Sequence, residues 1–546
     1  MAVRSMLFVV HSGEAFVLIS RVIVKNYRCL KFVDLPLNPD LNIIVGNNEC
    51  GKSTLLEAVC LALTGQLNGR PIQSETHPFL FNMELVTEYI NCLNAGKSVP
   101  PPETLIELYF DDDSALAKLK GTNNTRKENL PGISLKIECN SEFAEHFADY
   151  VADPSAIRTL PVEYYIPRWR SFADNDVTAR GIPIKPSFID ASTIRSNAAA
   201  GRYVLDIVKN SLNRAQQVDL ALSYRLMKDR FLGEERVKSI NDGLAKKRGV
   251  ISDKTLSVSL DTSSRSNWEM GIMLQLDDVP LTLVGKGEQN SVKIKLAMES
   301  SSECHLILIE EPENHLSFSN LNTLITRLTE RRGDRQLIIT THSSFVLNKL
   351  GIDSVILFNR GASTGLKSLS SETQDYFMRL PGHDTLRLIL AKRSFLVEGP
   401  SDELIVQAAY KSQNGMLPLD DGIDVISVRS LAFKRFLEIA VLLDISVTVV
   451  TDNDGRVSAL EEKYKDYFNK PRIRILYDTD EDCRTLEPQM LKANGRAVIE
   501  KVLDKVFDND AALLEYMKDN KADVALKFFK TSTPWTAPKY ILDAIK

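Results

Sequence analysis

The feature that most constrains this fold is a glycine-rich segment near the start of the chain. Residues 46–53, GNNECGKS, hold two glycines at the spacing G-x-x-x-x-G and end in Lys-Ser, which is the pattern of a phosphate-binding loop. A β-branched run, LNIIV, precedes the segment, and an apolar helical pattern, LLEAVCLAL, follows it. This strand, loop and helix context is what the motif requires. The sequence therefore predicts an α/β nucleotide-binding domain rather than a plain glycine turn.

Each residue type in this loop has its own part in holding a nucleotide. Glycines let backbone N–H groups approach phosphate oxygens, and the N-terminus of the following helix favours negative charge. We expect Lys52 to contact the β- and γ-phosphates and Ser53 to ligate Mg²⁺. The predicted nucleotide-binding residues of this segment are Gly46, Asn47, Asn48, Gly51, Lys52, Ser53 and Thr54.

Two later segments carry acids and a histidine suited to nucleotide hydrolysis. Residues 306–316, LILIEEPENHL, predict a buried strand ending in Glu310 and Glu311, and residues 336–344, QLIITTHSS, predict a strand followed by His342. Solvated strand ends also carry acids, and a lone histidine can be a capping residue. In order and spacing, however, the three segments resemble the ABC ATPases of the SMC and RecF kind. The resemblance implies that Glu310 is the Mg²⁺-side acid, Glu311 the catalytic base and His342 the γ-phosphate sensor.

ABC ATPases of this kind complete their ATP site with a signature loop from a second subunit. The candidate is residues 284–290, VGKGEQN, in which Gly285, Gly287 and Gln289 keep a G-x-G-x-Q skeleton. The segment departs from LSGGQ by lacking its leading serine, which leaves the atom that contacts the γ-phosphate undefined. The resemblance implies an ATP site shared between copies, and therefore a homodimer or higher homo-oligomer.

A second set of acids follows two apolar strands in the last third of the chain. Residues 395–403, FLVEGPSDE, and residues 447–455, VTVVTDNDG, each run from an apolar strand into an acidic turn. The carboxyl ends of parallel strands meet at one edge of a sheet, where α/β ligand sites form. Clustered carboxylates suit Mg²⁺ or Mn²⁺. Each acid taken singly is also what an ordinary solvated strand end carries.

The strand ends E-G-x-x-D and D-x-D resemble the Toprim fold of topoisomerases, DnaG-type primases, RecR and the OLD (overcoming lysogenisation defect) nucleases. Two further segments favour OLD: residues 485–487, resembling its T-L-E motif, and residues 520–526, resembling its K-x-x-x-A-L helix. The order of an ABC ATPase and then a Toprim domain is also that of OLD proteins. A topoisomerase would need a nucleophilic tyrosine on a separate domain, and a primase would need a zinc ribbon.

The OLD resemblance implies two-metal phosphodiester cleavage, with paired cations activating water and stabilising the departing oxygen. Carried over by motif, Glu398 and Asp452 would be catalytic, and Lys521 would neutralise charge in the transition state. Asp402 stands where many OLD sequences have glutamate, so the resemblance implies that its contact with the metal runs through water. The implied metal ligands are Glu398, Asp402, Asp452, Asp454 and Glu487.

The domain organisation follows from length and from these motifs. The chain has 546 residues, and single hydrophobic cores stop growing near roughly 250 to 300 residues. We predict an α/β fold class: an ABC-type (RecF/SMC-like) ATPase domain with a helical insertion, followed by a C-terminal Toprim α/β domain. Strand-like patterning is expected to return at 256–284. The predicted boundaries are 1–189 and 251–390 for the two ATPase parts, 190–250 for an insertion serving dimerisation, and 391–546 for Toprim.

Composition excludes several classes of protein. The net charge of −5 argues against a polycation that coats nucleic acid, so DNA would be bound through local patches and metal ions. Seven cysteines, an odd number with no C-x-x-C pair, favour neither a zinc ribbon nor a disulfide framework. No apolar run reaches the length of a membrane span. A protein of the reducing cytoplasm, without a membrane partner, is expected.

Together these features predict an enzyme that hydrolyses ATP and cuts DNA as a divalent-metal-dependent endonuclease. The expected cofactors are ATP and Mg²⁺, with Mn²⁺ as a second choice at the Toprim site. The resemblance implies anti-phage defence, alone or beside a helicase or a retron reverse transcriptase with its RNA/DNA. The alternative is a RecF-like, ATP-switched DNA-binding or signalling module whose Toprim domain is catalytically inert.

Overall fold

The computed structural model describes residues 17–153, 157–190, 212–248, 254–260, 273–299, 305–331, 333, 335–359, 362–379, 385–428 and 432–546. The start of the predicted helical insertion, residues 191–211, lies outside this part of the chain. The described residues form two compact units. The first unit lies within Met1–Asn42 and Gly51–Thr340, and the second within Ile43–Cys50 and Thr341–Lys546.

Strands and helices alternate along much of the described chain. The first strands are β1 (Ile19–Tyr27), β2 (Leu30–Pro36), β3 (Leu41–Val45), β4 (Gln66–Leu67), β5 (Arg70–Pro71), β6 (Thr104–Phe110), β7 (Lys120–Gly121), β8 (Leu130–Cys139), β9 (Tyr165–Ser171) and β10 (Pro186–Asp190). The next are β11 (Gln275–Leu276), β12 (Val279–Pro280), β13 (Leu306–Glu310), β14 (Gln336–Thr340), β15 (Val355–Asn359), β16 (Ala362–Gly365), β17 (Arg393–Val397), β18 (Ile423–Ser427), β19 (Ser446–Val450) and β20 (Ile473–Leu476).

The helices fall into the same two units. Those of the first unit are Lys52–Thr64, Ile72–Glu75, Met83–Asn94, Ala144–Val151, Arg214–Gly233, Glu235–Ala245, Lys286–Glu299 and Phe318–Arg331. Those of the second are Ser344–Leu350, Ser371–Arg379, Thr385–Leu390, Pro400–Asn414, Phe433–Leu442, Val457–Phe468, Leu486–Asn494, Arg496–Leu503, Asp510–Asp519, Lys521–Lys530 and Lys539–Ile545. Within the described ranges, none of these helices is long and apolar enough to cross a membrane.

An antiparallel sheet forms one layer of the first unit. Its strands lie in the order β2, β1, β6, β8, and both β7 and β9 pair with β8. Strand β8 has one face on the core and one nearer to solvent. Ile133, Leu135 and Ile137 are buried, while Ser134 and Lys136 between them are partly exposed. This alternation is expected of a strand with one covered face.

Parallel strands form the second layer of the first unit. Strands β10, β13 and β14 pair in that order, all parallel. Strands β13 and β14 are buried at every residue, as expected where both faces of a parallel sheet are covered. The helix Lys52–Thr64, which follows the glycine-rich loop, packs on these three strands. The strands predicted before Glu310 and before His342 are therefore confirmed as β13 and β14.

The predicted helical insertion is confirmed where the structure describes it, as the helices Arg214–Gly233 and Glu235–Ala245. The expectation of strand-rich structure at 256–284 was wrong for the described residues of that range, which contain only the short β11–β12 hairpin. Val258 shows the physical reason. Its backbone N–H and C=O both bond to the side chain of Asn241, and its own side chain is exposed, so the alternating pattern has no sheet to cover.

The second unit contains a fully parallel sheet in the order β18, β17, β19, β20. The helices Pro400–Asn414, Lys521–Lys530 and Lys539–Ile545 pack together beside this sheet over one apolar core. In the same unit, Ile43–Val45 of β3 pairs in parallel with β15, which pairs antiparallel with β16. This strand arrangement, βα units with parallel strands, is the α/β architecture that the sequence predicts.

Residues 341–390, which the sequence places in the ATPase, also pack against the Toprim sheet and its helices. The Arg387 guanidinium bonds to the Asp424 carboxylate and to the carbonyl of Val425 in β18. The rings of Phe377 and Phe436 lie edge to face, 5.2 Å between centroids. The predicted boundary at 390/391 stays a prediction, but these residues share one compact unit.

Candidate nucleotide and metal sites

The second half of the glycine-rich loop is held by close packing in the first unit. Gly51 has φ +102°, and a Cβ built on it would lie 2.5 Å from a side-chain carbon of Leu30. Both features require glycine at this position. Lys52 follows with its side chain largely buried, and the Ser53 hydroxyl donates to Glu310. The two residues predicted to face Mg²⁺ are therefore in direct contact. Thr54 Oγ1 lies 3.3 Å from Cys29 Sγ.

The first half of the loop belongs to the second unit. A Cβ on Gly46 would lie 2.2 Å from the carbonyl oxygen of Phe358, so only glycine fits there. The backbone N–H of Cys50 donates to the carbonyl of Asn47, which closes a turn. Asn47 and Asn48 are exposed on this turn. An exposed turn with closely packed glycines is the geometry in which backbone groups cradle a phosphate.

Strand β13 places its two terminal acids differently. Glu310 ends the strand and is buried, whereas Glu311 leaves it with a left-handed backbone, φ +45°. The N–H of Glu311 donates to the carbonyl of Thr340, and its carboxylate accepts from Asn314 at 2.7 Å. The two carboxylates therefore cannot share one environment, which agrees with separate roles for a metal-side acid and a base.

His342 follows β14 in a loop that its neighbours define. The hydroxyl of Thr341 accepts the N–H of Ser343 at 3.0 Å, and the Ser343 hydroxyl caps the next helix by accepting from Val346. The His342 side chain is partly buried. The structure thus places the predicted sensor at the carboxyl end of a parallel strand, as the motif requires.

The candidate signature segment is the start of a helix rather than a loop before one. The helix begins at Lys286, so Gly287 and Gln289 lie in its first turns. A Cβ on Gly287 would lie 2.3 Å from the carbonyl of His315, in the segment after Glu311. Gln289 is buried, and its amide donates to the carbonyls of Thr282 and Val284. Gly285 has open space around its Cα, so it is the most accessible of the three predicted contacts.

The Toprim acids begin where β17 passes into a helix. Pro400 occupies the first helical turn after Gly399, and the Asp402 carboxylate accepts the N–H of Gly399 at 3.0 Å. Proline at the first position and an acid at the third are typical of a helix start. Glu398, just before this turn, accepts from the Thr451 hydroxyl at 2.5 Å and from the N–H of Asp452 at 3.1 Å. The ends of β17 and β19 are thereby joined through Glu398.

Asp452 lies at the centre of the acids that the structure brings together. Burial, followed by the charges of Asp402, Glu398 and Glu487, raises the pKa of Asp452 to about 9. Its Oδ1 is buried and has no hydrogen-bond partner. Burial, followed by the charge of Glu398, also raises the pKa of Asp402 to about 6. The space that the four carboxyl groups share therefore disfavours the ionised forms of Asp452 and Asp402.

Glu487, the fourth of these acids, pairs with Lys521. Lys521 Nζ lies 2.9 Å from Glu487 Oε1, and the Thr485 hydroxyl donates to Glu487 Oε2 at 2.6 Å. Burial alone would raise the pKa of Glu487, but these two donors outweigh it, and the pKa is lowered. Lys521 starts the helix Lys521–Lys530, which packs on the helix that carries Asp402. That packing brings a lysine from the end of the chain to the acids.

Asp454 lies two residues beyond Asp452, on the exposed side of the turn, with φ +51°. Its charge and that of Glu398 both act on the buried Tyr464, whose pKa is raised first by burial and then by these two acids. Asp454 is thus on the Glu398 side of the site. Among the predicted metal ligands it is the most accessible to solvent.

Three further residues contribute to this site without being among the predicted site residues, although Thr485 belongs to the T-L-E segment. Thr451 and Thr485 hold Glu398 and Glu487 by hydrogen bonds. Tyr540, in the C-terminal helix, is buried, and burial together with the charges of Asp452 and Asp402 raises its pKa. A threonine next to an acid at a strand end is a usable signal for Thr451, and the T-L-E segment is the signal for Thr485. Tyr540 offers none, since only the packing of its helix on β19 and β20 places it there.

The donors of this cluster fit a divalent cation. They are carboxylate oxygens, which Mg²⁺ and Mn²⁺ prefer, and the buried, unpartnered Oδ1 of Asp452 is a free ligand atom. Among the described residues, however, no three acidic, histidine or cysteine side chains already form a closed ligand set. The hydrogen bonds of Glu398 to Thr451 and of Glu487 to Lys521 explain this, because those carboxylates point to protein donors. Small side-chain rotations would be needed on metal binding.

Comparison with known families matches the same regions. A family model described as "Overcoming lysogenization defect protein-like, TOPRIM domain" matches residues 389–454. Two AAA-domain models match residues 21–154 and 231–348, the second described as a putative AbiEii toxin. An OLD nuclease of Thermus scotoductus is 23% identical over 488 residues, covering 80% of this chain and 82% of that protein. The chain is thus similar to an OLD nuclease along most of its length. The ATPase and Toprim assignments made from the sequence are confirmed.

Shorter and more distant similarities accompany this OLD relationship. RecF of Haemophilus ducreyi is 51% identical over 41 residues, 8% of this chain and 11% of that protein. A solved RecF–ATP structure aligns with 64% of this chain and 99% of its own, at 10% identity and TM-score 0.34. The C-terminal region of the Burkholderia pseudomallei OLD protein aligns with 29% of this chain and 96% of its own, at 20% identity and TM-score 0.24.

Proposed function

We propose that this OLD-like chain hydrolyses ATP and cuts DNA as a divalent-metal-dependent endonuclease. The observation that carries the proposal is the acid cluster at the carboxyl edge of the Toprim sheet. There Asp452 keeps a buried, unpartnered oxygen among Glu398, Asp402 and Glu487, with Lys521 alongside. A structural carboxylate is normally hydrogen-bonded when buried. An arrangement that leaves one free and raises its pKa is typical of a functional site.

The proposed cleavage divides the work among these side chains. Glu398, Asp402, Asp452 and Glu487 would hold a divalent cation, with exposed Asp454 on the side of a second one. Such cations supply an activated water and stabilise the departing oxygen. Lys521, half-exposed beside Glu487, can donate to a phosphoryl oxygen as negative charge develops. Thr451 and Thr485 keep Glu398 and Glu487 oriented.

For ATP, the loop Gly46–Ser53 would bind the phosphates and Lys52 would neutralise them. Ser53 and Glu310, already in contact, would hold Mg²⁺. Glu311, held by Asn314, would orient the attacking water, and His342 would contact the γ-phosphate.

The proposal includes a homodimer, because a signature segment must reach the ATP of another copy. The helix Arg214–Gly233 supports this with an exposed apolar row, Val218, Leu222 and Leu226, at four-residue spacing. Such a row on a surface helix is typical of an interaction surface. Sedimentation should show a dimer that Leu222→Glu with Leu226→Glu converts to monomer. A wild-type monomer at micromolar concentration would contradict the shared ATP site.

The nuclease proposal is tested with supercoiled plasmid, Mg²⁺ or Mn²⁺, and purified protein. Wild type should nick or cut the plasmid, and EDTA should stop it. Asp452→Asn, which keeps the size of the side chain, should abolish cleavage. Asp444→Asn is the matched control, because Asp444 is exposed and pairs only with Arg472 among its described ion-pair partners. Cleavage by Asp452→Asn at the wild-type rate would contradict the assigned site.

A second candidate function is a RecF-like DNA-binding or signalling module with an inert Toprim domain. The similarity of 41 residues to RecF of Haemophilus ducreyi, at 51% identity, favours this module. It predicts no cleavage with any divalent metal, but ATP-dependent DNA binding.

We also propose that the chain acts in the bacterial cytoplasm in defence against phage, alone or beside a helicase or a retron reverse transcriptase. Phage plating efficiency on cells carrying wild type or Asp452→Asn measures the defence, and native co-purification measures the partner. Equal plating on both strains would contradict a defence role for the nuclease.

A further inference from the structure

Two loops that carry site acids are joined into one ridge in the second unit. The first loop follows β19 and contains Asp452; the second follows β20 and leads to Glu487. The Asn453 amide donates to the carbonyls of Asp478 and Asp480 at 2.7 and 2.8 Å. The N–H of Asp454 donates to the carbonyl of Arg484 at 3.1 Å. The ridge therefore has a defined shape next to the acid cluster.

The side chain of Arg484 lies across this ridge, directly over Gly455. A Cβ built on Gly455 would be 2.9 Å from Arg484 Nε and 3.0 Å from its Cδ, so the glycine makes room for the arginine. Gly455 also has φ +69°, a backbone conformation that favours glycine. The aliphatic part of Arg484 is thereby positioned, while the residue as a whole is exposed.

Among the described residues, no protein acceptor contacts the side chain of Arg484 or of Arg456 on the adjacent turn, whereas the following basic side chains each have one. Lys492 pairs with Asp480 at 2.6 Å, and Lys521 with Glu487. Arg472 pairs with Asp444 at 3.1 Å, and Arg474 donates to the carbonyl of Asp543 at 2.6 Å. Arg484 makes no such bond, so its guanidinium donors are available to a ligand.

The chemistry of the neighbouring cluster indicates which ligand this is. The four carboxyl groups outnumber the single lysine, so the net charge of the cluster is negative. This charge repels a polyanion unless cations outside the cluster offset it. A guanidinium presents paired N–H donors that match two phosphate oxygens. We propose that Arg484 binds a non-bridging phosphate group of the nucleic-acid backbone, next to the phosphodiester that the acid cluster cuts. This inference rests on the proposed nuclease function and names a substrate-positioning residue for it.

The direct test measures binding without cleavage. The Asp452→Asn protein, with and without Arg484→Gln, is titrated into a short fluorescent DNA duplex at several salt concentrations. We expect Arg484→Gln to weaken binding about tenfold, as loss of a charged hydrogen bond does. The slope of log Kd against log salt should fall by about 0.9, the value for one phosphate contact. Arg472→Gln, the control, should change neither quantity.

Gly455→Ala tests the geometry without changing any charge. The new methyl group would displace Arg484, so this variant should weaken DNA binding to a similar extent. In the Arg484→Gln background, Gly455→Ala should then add little, because both changes remove one interaction. In the otherwise wild-type enzyme, Arg484→Gln should raise KM for DNA and alter kcat far less, and Arg484→Lys should recover part of the loss. Circular dichroism shows whether each variant is folded.

An unchanged Kd and salt slope in Arg484→Gln would overturn the inference while leaving the nuclease intact. Full additivity of Arg484→Gln and Gly455→Ala would overturn the proposed position of the guanidinium. Absence of plasmid cleavage by wild type would instead contradict the nuclease function itself. If Arg472→Gln weakened DNA binding as much as Arg484→Gln, the loss would reflect the net charge of the protein rather than one phosphate contact. That result would overturn the assignment of Arg484.

Discussion

The glycine-rich loop and the Toprim acid cluster, both proposed to bind phosphate groups, are built in opposite ways. The loop is eight consecutive residues, and its glycines at 46 and 51 let backbone groups do the binding. The cluster is built from side chains on three separate segments, which carry Glu398 with Asp402, Asp452, and Glu487, and Lys521 comes from a fourth. The nucleotide loop therefore depends on local conformation. The acid cluster depends on tertiary packing and on relief of the repulsion between its carboxylates.

The electrostatics of the two sites differ accordingly. In the nucleotide loop, the Ser53 hydroxyl donates a hydrogen bond to the carboxylate of Glu310, the last residue of β13. In the cluster, burial and three neighbouring acids raise the pKa of Asp452 to about 9. A cation would relieve that strain, so metal should stabilise the Toprim site more than it stabilises the empty nucleotide loop.

The largest expected effect separates the two activities. Glu311→Gln should lower ATP turnover on the order of 10²–10³-fold, because the residue would no longer accept a proton from water. ATP binding, measured with a fluorescent analogue, should stay within about threefold. Glu330→Gln, on the exposed side of the helix Phe318–Arg331, is the control. Wild-type turnover in Glu311→Gln would contradict its role as base.

The next largest effect is expected from removing Lys521, the lysine of the acid cluster. Lys521→Met should lower plasmid cleavage on the order of 10²-fold, since charge developing on the phosphate loses a donor. Lys492→Met removes another surface lysine, paired with Asp480, and should cost less than about threefold. ATP turnover should be unchanged in both. Equal losses of cleavage in the two variants would show that Lys521 has no special part.

A pH experiment tests the charge repulsion directly. Because its folded pKa is raised, Asp452 contributes most stability below about pH 4 and loses it as pH rises through about 9. In EDTA, Asp452→Asn should therefore be more stable than wild type at pH 8, by about 2 kcal/mol. The difference is smaller than the full shift implies, because the neighbouring acids titrate together with Asp452. The gap should shrink at pH 5 and reverse with excess Mg²⁺. Thermal unfolding measures it, and a gap independent of pH would contradict the assignment.

The smallest effect concerns the free energy of unfolding and a buried hydrogen bond to the helix Ser344–Leu350, which follows His342. The Thr385 hydroxyl donates to Asn348 Oδ1 at 2.8 Å, and both side chains are fully buried. Thr385→Val should lower the free energy of unfolding by about 1–2 kcal/mol, because a buried acceptor loses its donor. Thr87→Val, at an exposed helix position, should change it by less than about 0.5 kcal/mol. Urea denaturation distinguishes the two variants.

The parts of this protein that could be predicted from its sequence are those whose causes are local. The phosphate loop, the strands before Glu310, His342, Glu398 and Asp452, and the helix at Arg214–Gly233 follow from periodicity, glycine spacing and turn residues over a few neighbours. Those patterns were sufficient for the ATPase and Toprim assignments, because α/β sheets place ligands at strand ends. The expected strands at 256–284 show the limit, since a strand needs a partner that the pattern cannot supply.

Tertiary packing brings the acids into one buried space, and this raises the pKa values of Asp452 and Asp402. Lys521 meets Glu487 through packing of the C-terminal helices, and Tyr540 reaches the same acids from the last helix of the chain. Arg484 lies over Gly455 because two loops are hydrogen-bonded together. These contacts join residues far apart in sequence, and their energies depend on distance and burial. No local pattern contains either quantity, so charge coupling and substrate positioning appear only once the chain is folded.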